Sequence, residues 1–209
     1  MTAETGYYSS RTFNTAVPIP MNKMLNMLKQ EHINISRLMD VLETQISLLE
    51  DNGQANLQLI KDIVEYITYY PDLYHHPKED LVLELLRHKD KEIIPVIDHL
   101  LDEHKILTEA AINLAERLRN IHGKENTRML AEQLRKYINL CRSHMDCEES
   151  KLFPRAQQVL TDEDWAEIDK GFVLKDDPLF GKIIYKQYQH IYDSIIKHTH
   201  SIKEEQKGN

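Results

Sequence analysis

Apolar residues recur every three or four positions over long stretches of the chain, which is the period of a helix with one buried face. The first stretch runs without a break along Leu25, Leu28, His32, Ile35, Met39, Leu42, Ile46 and Leu49. It predicts a first helix in which a histidine occupies a core position. Asn52 and Gly53 predict its end, because glycine readily takes the left-handed conformation that ends helices.

A second stretch begins near Leu57 and carries polar residues and a proline on its buried face. Its core positions are Ile60, Val64, Ile67, Pro71, His75, Glu79, Val82 and Leu86. Pro71 and Pro77 each remove a backbone donor, so we expect a kink or a break between Tyr70 and Lys78.

Two further stretches repeat this arrangement. The third has core positions at Ile97, Leu100, His104, Leu107, Ala111, Leu114, Leu118 and Ile121, and a turn around Gly123 follows it. The fourth has core positions at Leu130, Leu134, Tyr137, Cys141, His144, Glu148 and Leu152, and Pro154 marks its approaching end. Two helix pairs of matching pattern, joined by short loops, predict an all-α, up-down-up-down four-helix bundle.

The bundle is expected to occupy residues 21–158 of a chain of 209. Residues 1–20 contain Pro18 and Pro20 and no helical period, so they predict an extended N-terminal arm against the bundle or a disordered lead. Residues 159–209 predict a helical C-terminal extension that packs on the bundle. Its first helix is expected around Trp165, from the acidic run that follows Thr161 to a stop at Gly171, and a last amphipathic segment begins at Ile183.

The composition agrees with this architecture and argues against several partners. Hydrophobic residues make up 41% of the chain, which contains only 6 glycines, and this favours helices over a sheet. A net charge of −8 without a basic stripe argues against binding to nucleic acid or to an anionic membrane. No segment approaches the roughly 18 apolar residues of a membrane span, so we expect a cytoplasmic protein. Cys141 and Cys147 would lie on different faces of one helix and cannot pair, which fits a reducing compartment.

Histidine and glutamate at core positions form one pattern that is written twice. Glu31-His32 is followed by His75-x-x-x-Glu79, and Glu103-His104 is followed by His144-x-x-x-Glu148. The matching residues are 72 apart for the first histidines and 69 apart for the second histidines and the glutamates. Side chains four positions apart lie on one face of a helix, so each pair can bind one metal ion or share two.

A metal site accounts for this pattern better than a structural role does. A single core histidine is usually structural, but here each helix of the bundle carries one, and two helices add a glutamate that would be costly to bury uncompensated. Imidazole and carboxylate ligands suit iron or manganese, whereas structural zinc sites prefer four ligands rich in sulfur, although zinc can substitute. The six candidate ligands are His32, His75, Glu79, His104, His144 and Glu148. They suit two ions bridged by Glu79 and Glu148, with positions left for a small ligand.

Several neighbouring residues leave alternatives open. Glu31 and Glu103 either accept hydrogen bonds behind the ligands or lie on the surface. Whether Glu149, beside Glu148, is an extra ligand is also left open. His76 is a further candidate ligand, because Pro77 disturbs the helix there. One tyrosine could donate a hydrogen bond to a bound ligand, and the spacing does not choose among Tyr66, Tyr69, Tyr70 and Tyr74. Cys141 is interpreted as a small buried hydrophobic residue.

These motifs resemble those of hemerythrin-like, or HHE cation-binding, domains. The resembling residues are Glu31-His32, the run from His75 to Asp80, Glu103-His104, and the run from His144 to Glu149 followed by Leu152-Phe153-Pro154. The resemblance covers about residues 22–158 and implies a non-haem di-iron centre bridged by two carboxylates and an oxo or hydroxo group. It implies the same six ligands, and some relatives also use the residue at the position of His76.

The chain also departs from the oxygen-carrying members of that family. They have a second histidine one turn before the third-helix histidine, where this chain has Leu100, and a fourth-helix carboxylate at the position of Glu149. Reversible oxygen carriage is therefore not the leading hypothesis. We expect a di-iron protein that binds or reduces a small oxidant, namely dioxygen, peroxide or nitric oxide. The alternatives are an iron-handling or iron-sensing module without turnover, and a purely structural bundle.

Overall fold

The computed structural model describes residues 22–51, 54–120, 125–171 and 177–207, without the side chains of 125–126 and 202–207. Helices dominate these residues, and they contain no strand. The all-α prediction is therefore confirmed. The predicted arm over residues 1–20, the Asn52-Gly53 stop and the turn around Gly123 lie outside the described residues.

Four long helical segments form the bundle. The first is α1 (Lys23–Glu50), and the second joins α2 (Leu57–Tyr70), a π-helical turn (Pro71–His75) and α3 (His76–Lys89). The third is α4 (Ile94–Arg119), and the fourth joins α5 (Glu125–Cys147), a second π-helical turn (Glu148–Leu152) and α6 (Phe153–Val159). Side-chain oxygens of Asn22 and Asn56 accept from the backbone N–H groups of Met24 and Leu59, and they cap α1 and α2.

The core positions predicted from the apolar period are buried wherever the structure describes them, except that Leu49 is only partly buried. The buried apolar residues divide into two clusters. One contains Met39, Ile67 and Leu107, and the other contains Leu28, Leu86 and Leu100. Along all four segments, the histidine and glutamate positions lie between residues of the first cluster and residues of the second.

Both segments that carry a His-x-x-x-Glu pair contain a π-helical turn, and in each case a proline follows closely. Pro77 is the second residue of α3 and Pro154 the second residue of α6. Proline has no N–H to donate to the carbonyl four residues earlier, and its ring clashes with that carbonyl. A π turn adds one residue to the helix at this point. The irregularity expected between Tyr70 and Lys78 is confirmed. The segment ends at Val159, shortly after Pro154, which agrees with the approaching end that Pro154 predicts.

The C-terminal extension packs against the bundle. Helix α7 (Asp162–Lys170) contacts α3, and Thr161 and Asp164 form a capping box at its start. A 3₁₀ turn (Lys186–Tyr188) leads into α8 (Gln189–Lys207), which lies against α1 and α2 and buries Ile191 and Ile195. None of the helices over the described residues is long and apolar enough to span a membrane.

Candidate metal centre

All seven candidate ligands come together in the polar layer between the two apolar clusters. Helix α1 supplies His32, α4 supplies His104, and α5 with its π turn supplies His144 and Glu148. The second segment supplies His75, His76 and Glu79. All except the partly buried His76 are buried, and both glutamates have no exposed surface.

The first π turn determines where His76 points. His75 is the last residue of this turn and His76 the first of α3, so two consecutive side chains both reach the interior. The ring of His76 stacks on that of His104, with centroids 4.3 Å apart and planes 15° apart. In a regular helix the two side chains would diverge by about 100°. His76 therefore points into the site, as expected of a further candidate ligand.

The two glutamates lie between two groups of histidines, namely His32 with His75 and His104 with His144. Oε1 of Glu79 is 3.1 Å from the Nε2 atoms of His32 and His75, while its Oε2 is 3.5 Å from Nε2 of His104. Oε2 of Glu148 is 3.3 Å from Nε2 of His32, and its Oε1 is 3.5 Å from Nε2 of His144. Each carboxylate thus directs one oxygen to either group, which is the arrangement expected of a bridging ligand.

Two compact groups of potential ligand atoms share Glu79. One contains His32, His75 and Glu79, and the other contains His76, Glu79, His104 and His144. Within each group the ligand atoms lie within 4.8 Å of one another. The residues could therefore hold two ions, and the two positions differ in the number of histidines.

Each of the five histidines also contacts an outer carboxylate through Nδ1. The pairs are His32–Glu149 at 2.9 Å, His75–Glu31 at 2.8 Å, His76–Asp72 at 3.2 Å, His104–Asp80 at 3.0 Å and His144–Glu103 at 3.0 Å. A carboxylate only accepts, so the proton of each pair is placed on Nδ1. Nε2 is then the nitrogen left to bind a metal, and such partners also orient the ring.

Sequence reasoning identified only part of this outer set. Glu31 and Glu103 were candidates, and both act as acceptors behind histidines. Asp72 and Asp80 were missed. Asp72 precedes its partner His76 by one turn, and the partner of Asp80 is His104 on another helix. A signal was present, however: Asp80 follows Glu79 as Glu149 follows Glu148, again 69 positions apart.

The centre contains buried polar atoms that have no hydrogen-bond partner. They include Oε2 of Glu79, both carboxylate oxygens of Glu148, and Nε2 of His104 and His144. Buried polar groups normally have partners, and leaving charged ones without partners is costly. The unpartnered atoms are those that face the middle of the site, so the residues fit a bound cation.

Opposing charges shift the protonation of these groups in the ion-free protein. Burial opposes the charged form of His104, but Asp80, Glu148 and Glu79 raise its pKa to about 11. Burial likewise opposes charge on His32, yet Glu148, Glu149 and Glu79 raise its pKa well above the usual range. For Glu79, burial is outweighed by His75, His104 and His32, which hold its pKa well below the usual range. Metal binding would therefore displace protons from the histidines.

The pKa of His76 is lowered, whereas those of His32 and His104 are raised. Burial lowers its pKa, and the nearby Asp72 does not compensate fully. A neutral imidazole is the form that binds metals, so His76 is ready to act as a ligand without losing a proton.

Lys78 introduces a difference between the two halves of the site. This lysine is 5% exposed, and its Nζ donates to Glu31, the same carboxylate that accepts from His75. The corresponding position in the second half is Cys147. Only the Glu31–His75 pair, among the five outer pairs, therefore has a buried lysine against its carboxylate.

A small cavity adjoins the ligands on the side of the first apolar cluster. Its volume is ≈ 30 Å³, and His75, His76 and His144 lie in its wall. Apolar residues form most of the remaining lining, together with Tyr137, Cys141, Asp72 and Thr108. Burial raises the pKa of the Cys141 thiol to about 12, so the thiol is protonated. This agrees with the interpretation of Cys141 as a small hydrophobic residue.

The four candidate tyrosines occupy different surroundings. Tyr69 is 57% exposed, and Tyr74 is partly buried. The hydroxyl of Tyr66 donates to Asp177, and burial followed by the charges of Glu31 and Asp177 raises the pKa of Tyr70. Tyr137, which was not among the candidates, is the tyrosine that lines the cavity.

An open groove between α1 and α5 reaches the opposite side of the site. It is lined by His32, Arg37, Asp40, Arg142 and Glu149, among others. Glu149 is 40% exposed and contacts Nδ1 of His32, so this groove brings solvent close to one ligand.

Comparison with protein families gave one match. The model of the hemerythrin HHE cation binding domain matches residues 23–156, which is more than half of the chain. The matched region begins at the start of α1, ends within α6, and includes all seven candidate ligands. Comparisons with curated proteins and with solved structures gave no match.

Proposed function

The chain belongs to the hemerythrin HHE cation-binding family, and we propose that it is a non-haem di-iron protein that binds or reduces a small oxidant. The oxidants considered are dioxygen, peroxide and nitric oxide. The cavity beside His75, His76 and His144 is the observation that supports this most directly.

The size and lining of the cavity favour a small ligand of low polarity. A volume of ≈ 30 Å³ accommodates a molecule of a few atoms and excludes ordinary metabolites. Met39, Ile67, Leu107 and Ala111 contribute to its apolar wall. Molecules such as dioxygen and nitric oxide would partition into such a space more readily than water would.

The cavity coincides with positions at which the two halves of the chain differ. With an offset of 69, Asp72 and His76 in the first half correspond to Cys141 and Met145 in the second, and all four line the cavity. The second half thus contributes soft, apolar side chains where the first contributes a histidine and its acceptor. One ion position consequently has fewer histidines, which leaves room for an exogenous ligand.

Iron is the metal we propose, with manganese or zinc as possible substitutes. Imidazole and carboxylate donors without thiolates suit iron, and affinity alone would favour zinc over Fe(II). When bound, iron supplies electrons and a Lewis-acidic position for the oxidant. Glu79 and Glu148 would bridge the two positions, the five histidines would bind through Nε2, and the outer carboxylates would hold the Nδ1 protons and fix the rings.

The cellular setting is also a proposal. Both Cys141 and Cys147 are free thiols, which is consistent with action in the cytoplasm. The net charge of −8 gives no reason to expect a nucleic-acid or membrane partner, so the partner we propose is the small oxidant alone.

The experiment is to load reduced protein with iron anaerobically, determine the metal content, and record absorption spectra as dioxygen, peroxide or nitric oxide is added. Ala111→Val places a larger side chain at the cavity wall and should slow the spectral change while the iron content stays the same. Ala156→Val makes the same change in the other apolar cluster and should leave the reaction unaffected. Absence of any spectral change in the iron-loaded wild type would refute the proposal.

A second candidate function is iron handling or sensing without turnover, and the open groove favours it. Glu149 and His32 connect the centre to solvent through this groove, which would allow an ion to exchange. Exchange of bound iron with added labelled iron distinguishes the two. Rapid exchange together with spectral silence towards oxidants supports the second function, and a centre that does not exchange argues against it.

A further inference from the structure

Four tyrosine rings form a continuous series beside the metal centre. Tyr188 contacts Tyr66 with ring centroids 5.5 Å apart, Tyr66 stacks on Tyr70 at 5.4 Å, and Tyr70 contacts Tyr74 at 5.5 Å. The Tyr66 and Tyr70 planes differ by only 8°. This series of rings, Tyr188–Tyr66–Tyr70–Tyr74, is called the tyrosine series below.

One part of the series lies next to a candidate ligand and another part lies at the C-terminal extension. Tyr74 directly precedes His75, and the hydroxyl of Tyr70 lies near Glu31, which accepts from Nδ1 of His75. Tyr188 is partly exposed in the 3₁₀ turn before α8. The series therefore connects the surroundings of His75 with a surface outside the bundle.

The central tyrosine has a hydrogen-bonded carboxylate. The hydroxyl of Tyr66 lies 2.9 Å from Oδ1 and 3.0 Å from Oδ2 of Asp177, and Tyr66 is buried while Asp177 is partly buried. Burial raises the pKa of Asp177, so this carboxylate accepts a proton more readily than an exposed aspartate does. Oxidation of a buried tyrosine requires such an acceptor, because the phenol must release its proton when it loses an electron.

We propose that the tyrosine series is a one-electron relay between the metal centre and a reductant at the C-terminal extension. Tyr66 gives up one electron, its hydroxyl proton moves to Asp177, and a neutral tyrosyl radical remains. The electron passes through Tyr70 to the centre, which the oxidant has oxidised, and reduces it by one electron. A one-electron reductant such as ascorbate restores Tyr66 from the Tyr188 end, and Asp177 returns the proton.

This inference rests on the proposed function, because that function supplies the oxidant. The closeness of the rings supports it, since electron transfer slows steeply with distance. A purely structural function of the Tyr66–Asp177 contact would be to hold the C-terminal extension, as Asp177 also accepts from the backbone of Leu179 and Phe180. That function alone would produce no radical.

The first test mixes iron-loaded protein with peroxide, freezes it, and records electron paramagnetic resonance spectra. The wild type should show a tyrosyl radical, Tyr66→Phe should lose most of it, and Tyr69→Phe should match the wild type. Tyr69 is the matched control, because it is on the same helix but exposed and outside the series. Ascorbate should quench the wild-type signal and should return electrons to the centre more slowly in Tyr66→Phe.

The second test removes the dependence on peroxide chemistry. Zinc-loaded protein is oxidised by a flash-generated ruthenium oxidant in solution, and the tyrosyl signal is measured in the same variants. Asp177→Asn keeps every ring and removes only the proton acceptor, so it should lower the radical yield even if Tyr66→Phe folds poorly. Circular dichroism and zinc content serve as folding controls.

The outcomes separate the two proposals. Equal flash-generated signals in wild type, Tyr66→Phe and Asp177→Asn would overturn the relay. Peroxide consumption without any radical, and with unchanged electron return in Tyr66→Phe, would also overturn the relay and leave the proposed function intact. A flash-generated signal from Tyr66 in a protein that ignores all three oxidants would count against the proposed function and not against the electron path.

Discussion

At the scale of single residues, Nδ1 of His104 contacts Asp80 on α3, and Nδ1 of His32 contacts Glu149 on the second π turn. Neither carboxylate faces the middle of the site. Each keeps a proton on Nδ1, so Nε2 is the nitrogen that would bind a metal once its own proton has been displaced. These outer residues would therefore set the protonation of the candidate ligands without binding an ion themselves.

The first prediction concerns Asp80. Asp80→Asn keeps the size of the side chain but removes the negative charge that supports the Nδ1–H of His104, and we expect metal affinity to fall by about 10- to 100-fold. Competition with a chromophoric chelator measures this. Asp102→Asn is the control, because this aspartate is exposed on α4 and contacts Lys105. Equal affinities of the two variants would contradict the assigned role.

The second prediction concerns His76, which the π turn brings into the group that also contains His104 and His144. His76→Gln removes a ligand nitrogen while keeping a polar side chain of similar size, so the second ion should bind more weakly and the iron content should fall from two ions towards one. Elemental analysis after dialysis gives the ratio. His88→Gln changes an exposed histidine on α3, the helix that begins with His76, and should retain both ions. Full iron content in His76→Gln would exclude His76 as a ligand.

At the scale of elements, the two π turns occupy different places relative to the repeated motif. The first comes before Glu79 and includes His75, whereas the second begins at Glu148 and includes no histidine. The first turn therefore brings an extra histidine inward, and the second does not. Two halves with matching motifs consequently build two unequal groups of candidate ligands.

The apolar period predicted the core faces of all four segments, because one side of each helix must be buried whatever lies opposite. The contacts between segments were harder to predict. Asp80 contacts a histidine on α4, and Tyr66 contacts Asp177 in the C-terminal extension. Such pairs depend on the rotation and position of packed helices, which a period does not determine. The inward position of His76 likewise depends on the π turn, although Pro77 indicated where the helix would be irregular.

The third prediction concerns the junction between α2 and the C-terminal extension. Burial raises the pKa of Asp177 above its usual value of 3.8, so the folded protein binds this proton more tightly than the unfolded chain does. Stability contributed by the proton is present below the unfolded pKa and is lost as pH rises through the folded pKa. The free energy of unfolding of the wild type should therefore fall relative to Asp177→Asn as the pH rises from below the unfolded pKa through the raised folded pKa.

Urea unfolding of both proteins at several pH values, with a chelator present, measures this difference. The comparison cancels the titration of the metal ligands, because both proteins share them. A constant difference across the range would show that Asp177 has the same pKa in both states.

At the scale of the whole molecule, the candidate metal centre joins all four segments of the bundle. No two of His32, His75, His104 and His144 belong to the same segment, and Glu79 and Glu148 belong to two of them. In the ion-free protein the buried carboxylates depend on protonated histidines for compensation. Bound cations would replace those protons and stabilise the folded state by an amount that grows with the logarithm of their concentration relative to Kd.

The fourth prediction follows for metal removal. A ligand at 100 times its Kd adds about 2.7 kcal/mol of stability, which for a chain of this length corresponds to roughly 5 to 10 °C in Tm. Chelation should therefore lower Tm by at least this amount, as measured by circular dichroism. A His75→Ala, His144→Ala double variant should show almost no further change on chelation. Identical melting of loaded and chelated wild type would favour the purely structural bundle.

The sequence also allowed the family and the bundle to be predicted, because the ligand motifs and the four core faces are both local patterns. It did not distinguish oxygen carriage from oxidant reduction, since that choice depends on what surrounds the ligands. Leu100 and the position of Glu148 were the only local indications. The cavity and the tyrosine series are each built from residues of several segments and became visible only in three dimensions.

The outer carboxylates show how the halves of the chain depend on one another. Within a half, Glu31 contacts His75 and Glu103 contacts His144, but Asp80 and Glu149 each contact a histidine of the opposite half. A single helical hairpin with this motif would therefore contain one histidine without a carboxylate acceptor. It would also contain one carboxylate without a histidine partner. Two identical hairpins would satisfy each other by a two-fold exchange, so the bundle has the arrangement of a symmetric pair of hairpins within one polypeptide.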